Sequence, residues 1–356
     1  MHIRTAVILL LTASTAFAQT PAPTDNTAAI AEATAMMDAG KVDEAIAKLK
    51  AVLAAEPSNT SAQYELGLAY GQKGDATQCR DTMQPLADRR SELQIKALGM
   101  LGNCLDELGD RKKAMDTYRR GLKIAPDDAQ LNFNLAVTLV QMGKGDEARA
   151  VGKHGATKNR WYASQHYLLG KVFAAQGYTV PAILSYLHFL ALEPAGTRAV
   201  DAATSLRRLL GQGVEKTSKG YNINVDMNAP KDEGDYSALQ MMVTLLAGGA
   251  AAEKAETKKS EFEEAASQIS AIVAMYVEME DKGPANYTRD VQRPFFAAMQ
   301  KEKLTDTFAA IALMSLRLPG MTEWAKAHEE SVETYLAWIQ PQRGPAPVLL
   351  APAAKQ

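Results

Sequence analysis

Neither sign of charge is in excess in this chain. Lys and Arg number 39 against 41 Asp and Glu, a formal net charge of −2. No global field therefore favours nucleic acid, and the basic stripe of a nucleic-acid interface is absent. Aromatic residues make up only 6%, few for a β-rich core, whereas Ala, Leu and Met are plentiful and favour helix. Two cysteines, Cys79 and Cys104, exclude a disulfide-dense framework and a Cys-x-x-Cys redox motif. His154, His166, His188 and His328 have neither zinc spacing nor adjacent acidic ligands. No Gly-x-Ser-x-Gly elbow occurs, and Gly248-Gly249 lies in an apolar helical run without phosphate-loop partners. The expectation is no catalytic residue, no metal site and no cofactor.

Long apolar runs are also missing. The only one near a chain end covers residues 6–11, behind Arg4 and ahead of Ala16-Phe17-Ala18. It is too short to span a bilayer, and the small-x-small pattern is that of a signal-peptide cleavage site. A leader over residues 1–18, cut before Gln19, predicts export, with the periplasm as the expected compartment. An oxidising compartment would follow.

What is present is a period. Gly40, Gly74, Gly109, Gly143 and Gly177 recur every 34 or 35 residues. Seven residues before each stands a small residue: Ala33, Gly67, Gly102, Ala136 and Gly170. Five residues after each stands another: Ala45, Cys79, Ala114, Ala148 and Ala182. Large residues keep the same register at Tyr70, Leu105, Leu139 and Phe173, then at Leu49, Met83, Tyr118 and Tyr186. Prolines close three units at Pro57, Pro126 and Pro194, where a helix must stop. The glycines fit inter-helix turns that need a left-handed backbone.

This pattern resembles the tetratricopeptide repeat, a helix-turn-helix unit of 34 residues. The resemblance covers residues 26 to about 196 and implies an all-α solenoid of five hairpins. In repeat 4, Gly152 and Gly155 fall at core positions of a weakly helical run, which predicts a short or distorted second helix. Residues 196–210 read as a solvating terminal helix, with Arg207 and Arg208 facing water. The resemblance also implies a concave groove lined by first helices, for a protein or peptide partner. Its inward positions are Tyr64 and Leu68; Asn103, Asp106 and Glu107; Phe133, Val137 and Gln141; Tyr167 and Lys171. Core burial is the competing reading for the aromatics. Members that clamp a C-terminal carboxylate use two Asn and several cations. Asn103 and Asn134 match the amides, but Gly99, Ser164 and Leu168 stand where the cations should be, which disfavours that mode. The repeat stack sets Cys79 and Cys104 on neighbouring antiparallel helices. Two outcomes stay open, a disulfide and a pair of buried free thiols.

The period ends near residue 218. Residues 221–227 alternate apolar and polar, as a short extended segment does. Helix-spaced apolar faces follow at Leu239, Val243 and Leu246, at Phe262, Ile269 and Tyr276, at Phe295 and Phe296, at Phe308 and Ile311, and from Trp324 to Trp338. Pro294 should fall near a helix start or a kink. Residues 219–340 hold 19 acids and 12 bases, and Glu261, Glu263 and Glu264 read as a solvated face. The expected organisation is a leader (1–18), a linker (19–25), a repeat solenoid (26–213), a C-terminal helical domain (219–340) and a disordered tail (341–356) rich in proline. The leading expectation is an exported scaffold that binds a partner in the groove. The alternatives are a small-ligand or cell-wall-glycan binder, with its pocket between repeats and C-terminal helices, and an enzyme of unknown chemistry in residues 219–340.

Overall fold

A computed structural model describes residues 26–218, 220–225, 230–253, 259–279 and 285–342. The expected leader and linker, and the tail beyond 342, lie outside the described residues. Ten helices form five antiparallel hairpins: α1 (Asn26–Asp38) with α2 (Val42–Ala55), α3 (Thr60–Lys73) with α4 (Ala76–Asp88), α5 (Gln94–Glu107) with α6 (Arg111–Ile124), α7 (Ala129–Gln141) with α8 (Gly145–Lys158), and α9 (Ala163–Ala175) with α10 (Thr179–Leu192). The five turn glycines have φ of 77°, 79°, 81°, 72° and 81°. These are left-handed values that cost other residues steric strain. Helix starts are fixed by side chains that accept otherwise orphaned backbone N–H groups, at Asn59, Asp75, Asp110 and Asp128.

Close approach within each hairpin comes from the small residues of the first helix. A Cβ on Gly102 would lie 2.2 Å from the Tyr118 ring, one on Gly67 2.5 Å from Met83, and one on Gly170 2.7 Å from Tyr186. Cys79 and Cys104 form a disulfide between α4 and α5, with Cα atoms 5.9 Å apart.

Repeat 4 departs from expectation. Its second helix α8 is a full 14 residues long. Gly152 and Gly155 are buried, and a Cβ on Gly155 would fall 2.0 Å from the Gln165 amide and 2.9 Å from Asn132. Close packing against α7 and α9 supplies the stability that intrinsic propensity lacks.

The solenoid is not closed by a solvating cap. After α10 comes α11 (Thr197–Leu210), then a hairpin of β1 (Val214–Thr217) and β2 (Gly220–Ile223), antiparallel with Val214 opposite Ile223. Only the second strand was readable as extended in the sequence. Then follow α12 (Ser237–Glu253), α13 (Glu261–Glu278), a π turn (Thr288–Gln292) leading into α14 (Arg293–Lys301), α15 (Thr305–Ile311), α16 (Met321–Ala327) and α17 (Glu329–Ile339). Pro294 sits in the first turn of α14, where its missing N–H costs nothing. On α11, Ala199, Ala202, Ala203, Leu206, Leu209 and Leu210 are buried. Its Arg207 donates to Glu261 at 2.8 Å, while Arg208 is exposed. The apolar face of α11 packs on α10 and also meets the chain that follows, so that Arg208 faces water as expected while Arg207 is drawn into an ion pair. Glu261 is engaged in that pair, and Glu263 forms a reciprocal capping box with Ser260, so the acids read as a solvated face include residues with structural partners.

The reason for the covering is α10. All 14 of its residues are buried, as a helix apolar all round must be. One apolar core links repeats 1 to 4. A second starts in repeats 4 and 5 and runs without a break from Ala156 to Ile339. A polar clamp ties the connection to repeat 4: buried Glu233 accepts from Lys153 at 2.5 Å, and Asp232 accepts from the Tyr178 hydroxyl at 2.6 Å and from Arg149 at 3.1 Å.

Gly102→Val places a branched side chain into the Tyr118 ring. Overpacking of this kind costs about 1–3 kcal/mol, and the urea midpoint should fall accordingly. An unchanged midpoint would contradict the close-approach account.

Candidate partner-binding groove

In the stack, α1 touches α3, α3 touches α5, α5 touches α7 and α7 touches α9, whereas the second helices pack chiefly on first helices. First helices are thus the inner, closer-spaced wall, and second helices the outer one. The ten residues expected to line the groove all lie on α3, α5, α7 and α9, and none is fully buried. Tyr64 and Leu68 are half-buried against the N-terminal core. Phe133 and Val137 are half-buried beside Ala136, Leu168 and Val172, and Phe133 meets the Tyr162 ring edge-on at 5.9 Å. Glu107, Gln141 and Lys171 are exposed.

Two amides meet in the middle of this wall. Asn103 Oδ1 accepts from the Tyr118 hydroxyl at 2.7 Å and from Asn134 Nδ2 at 2.8 Å. At the far end, the Tyr167 hydroxyl donates to Asp201 at 2.6 Å, and Lys171 lies 3.4 Å from the same carboxylate. Asp201 was not anticipated, although it stands 34 residues after Tyr167; continuing the period past α10 would have found it. Val140, exposed by 43%, holds the register of Asp106 one repeat on and was missed in the same way. At the place of the absent clamp cation at Ser164, Arg198 reaches in from α11 and donates to Ser164 Oγ at 2.9 Å, but it is also bonded to Glu193.

Burial shapes the electrostatics of the inner wall. It pushes the pKa of the Tyr64 phenol up to about 12, and those of the Tyr118 and Tyr167 phenols upward as well. Burial likewise raises the carboxyls of Glu65, Asp106 and Glu107. Asp106 Oδ1 accepts no hydrogen bond, and its nearest cation is Arg111 at 3.8 Å. Arg111 is itself bonded to Gln141 at 3.0 Å.

With this geometry in place, the comparisons are decisive for family. A family model described as a TPR repeat matches residues 34–74, and one described as the tetratricopeptide repeat matches residues 95–128. The chain is a tetratricopeptide-repeat (TPR) protein. Among solved structures, this TPR protein is similar to a thermophilic TPR protein of Thermus thermophilus, at 16% identity over 51% of this chain and 99% of the other, with a TM-score of 0.45. It is similar to pilF of Pseudomonas aeruginosa at 19% identity over 52% and 82%, with a TM-score of 0.46. It is also similar to YrrB, a TPR protein with an unusual peptide-binding site, at 20% identity over 51% and 92%, with a TM-score of 0.39. No curated protein sequence is found to be similar to it.

The cavity between repeat 5 and the start of α12, lined by Tyr178, Pro181, Pro230, Tyr236 and Gln240 among others, holds about 20 Å³. That is room for a water and not for a sugar ring. An open depression of about 730 Å³ lies on the outer side between α4 and α6, and its Arg80, Lys113 and Arg120 are each paired with an aspartate. Among the described residues, no group of three or more His, Cys, Asp or Glu could hold a metal ion, and no helix is long and apolar enough to cross a membrane.

The remaining titratable cluster is a closed polar core. His166 and His188 have no exposed surface and stack at 3.8 Å between centroids; His188 stacks in turn on Phe295 at 4.1 Å. The Arg160 carbonyl accepts from His166 Nε2 at 2.7 Å, so Nδ1 is the unprotonated nitrogen that accepts from the Tyr287 hydroxyl at 2.6 Å. Gln292 donates to that hydroxyl at 2.9 Å and to Ser185 at 3.1 Å. Neither ring nitrogen of His188 has a hydrogen-bond partner. These residues join repeat 5 to the C-terminal helices.

Burial pushes the His166 pKa down to about 4 and that of His188 well below the usual imidazole value, with His166 and Arg160 adding to the effect on His188. Both rings are neutral in the fold and accept protons more readily when unfolded. Their contribution is thus complete above about pH 6.5 and is lost as pH falls toward 4. Thermal melts across that window should show a steep loss of Tm. His188→Phe, which keeps a stacked ring without a titrating nitrogen, should flatten the slope; an equal slope would remove the histidines as its cause.

Proposed function

We propose that this TPR protein is an exported scaffold that holds a linear segment of another protein against the inner wall formed by α3, α5, α7 and α9. One observation carries the reading: half-buried Tyr64, Leu68, Phe133 and Val137, with the Asn103–Asn134 amide pair among them, stand on α3, α5 and α7, while the C-terminal half packs on repeat 5 and α11 and touches α8. Aromatic anchors within a polar surround make up the energetic centre of many interfaces. The amide pair adds hydrogen-bonding capacity suited to a peptide backbone.

Export is part of the proposal and rests on the sequence pattern around residues 4–19. N-terminal sequencing of the protein recovered from the exported fraction should begin at Gln19. A product that starts at Met1 would refute it.

For the groove, the full chain is used as bait in a pulldown from the exported fraction, with Tyr64→Ala and Phe133→Ala as paired baits. Each side chain is only half-buried, so the fold should persist. Partner recovery should drop about tenfold or more, the loss expected of an interface hot spot. Undiminished recovery with both variants would eliminate this surface as the binding site.

A further inference from the structure

The short β1–β2 hairpin is unequal at its two edges. Strand β1 carries Glu215 and Lys216, whereas residues 220–225 hold no charge. Charged residues, Lys above all, are what keeps an edge strand from pairing with another chain. Backbone parity fixes which groups β2 offers. At the base of the hairpin the Asn224 N–H donates to the Gly213 carbonyl at 2.7 Å, and Asn222 stands opposite Glu215. Hydrogen-bonded pairs alternate with unbonded ones along an antiparallel ladder, so Asn222 and Asn224 turn their backbone groups toward β1. Tyr221 and Ile223 turn theirs outward, and among the described residues neither a third strand nor a loop carbonyl meets them.

The open edge adjoins an apolar stripe on α12. Leu239, Gln240, Val243 and Thr244 are buried, while Ala238, Met241, Met242, Leu245 and Gly249 are exposed at helical spacing. Ile223 continues that stripe. A Cβ on Gly248, one turn beyond Leu245, would stand 2.4 Å from the Ile223 Cδ1. Ile223, Met241, Met242 and Leu245 thus gather four of the nine large apolar side chains that are exposed among the described residues. The solvent face of an ordinary surface helix is polar. An apolar stripe beside an unpaired, uncharged strand edge marks a surface for association.

We infer that this surface pairs two copies of the chain: β2 of one copy adds antiparallel to β2 of a second, and the α12 stripes are covered in the same contact. The occupant is a second copy because the edge is complementary to itself. With a two-fold axis at Asn222, Tyr221 of one copy faces Ile223 of the other, so outward N–H groups meet outward carbonyls on both sides of the axis. The strand opposes no like charges, since it has none, and a net charge of −2 adds little repulsion between whole molecules. A hairpin edge this short does not hold two molecules by itself. The Met and Leu side chains supply the apolar area, and Met adapts its shape to what it meets. The pairing is independent of the groove reading.

Sedimentation velocity on the full chain over a concentration series should show a monomer–dimer equilibrium. Met242→Glu combined with Leu245→Glu should raise the dimer Kd about tenfold or more, the size of an interface hot-spot effect. The melting temperature should not change, because both side chains already face water. The strand pairing has its own readout. Residues directly opposed outside the hydrogen-bonded pairs lie about 4.5 Å apart at Cα, within reach of a disulfide. Oxidation of the Asn222→Cys variant should therefore give a covalent dimer, while Asn224→Cys, set away from the axis, should give little. The native thiols do not interfere, being joined as the Cys79–Cys104 disulfide. A monomer at every concentration overturns the proposal. So does a dimer that tolerates the paired glutamates, or one in which Asn222→Cys cross-links no faster than Asn224→Cys.

Discussion

Everything in this molecule depends on how closely the two helices of a hairpin approach. Tyr118 lies over Gly102, Tyr186 over Gly170 and Met83 over Gly67 at distances that leave no room for a methyl group. A large residue in one helix thus requires the absence of a side chain in the other. The left-handed glycine between them sets the antiparallel return. Three hairpins make this contact and the other two keep a small residue, Ala33 or Ala136, in the same register; the stack then brings first helices against first helices and spreads the second helices apart. The open inner wall follows from that asymmetry; no residue has to be placed there for binding in order for the wall to exist.

A solenoid built this way has an exposed end, and the chain resolves it with α10. A fully apolar helix cannot stand at a solvent boundary. Here α11 and the C-terminal helices enclose it on the side that a sixth hairpin would have covered. The enclosure is not wholly apolar. Glu233 and Asp232 pin the connection to α8 and Tyr178, and the neutral histidine pair with Tyr287 and Gln292 lies within the seam. Such groups demand a particular register between repeat 5 and the C-terminal half, which apolar contacts alone would leave loosely specified.

Which helices form the inner wall was legible before any coordinates, because the period assigns each residue its helix. Tyr64, Asn103, Phe133 and Tyr167 fall on the inner side for the same reason that Gly67 and Gly102 fall at the hairpin contact. Asp201 was missed only because the period was followed no further than the fifth unit. Other misses have different causes. Helix α8 carries glycines that weigh against helix in isolation, and neighbours on α7 and α9 outweigh that preference. Strand β1 has no alternating pattern of its own and exists because β2 pairs with it. Arg207 resembles any surface arginine until Glu261, 54 residues away, is brought to it.

By itself the sequence determined the hairpins, their number, the inner and outer walls and the identity of the residues on each, since all of these follow from local periodicity and the steric demands of glycine. Tertiary structure alone decided which charges are paired and which are left. Whether Asp88 meets Arg120 and Glu147 meets Arg119 depends on side chains from neighbouring repeats coming to hydrogen-bond distance. It also decided that the C-terminal half covers the end and outer side of the stack and leaves the inner wall open, because burying α10 requires contacts among segments that no repeat period relates.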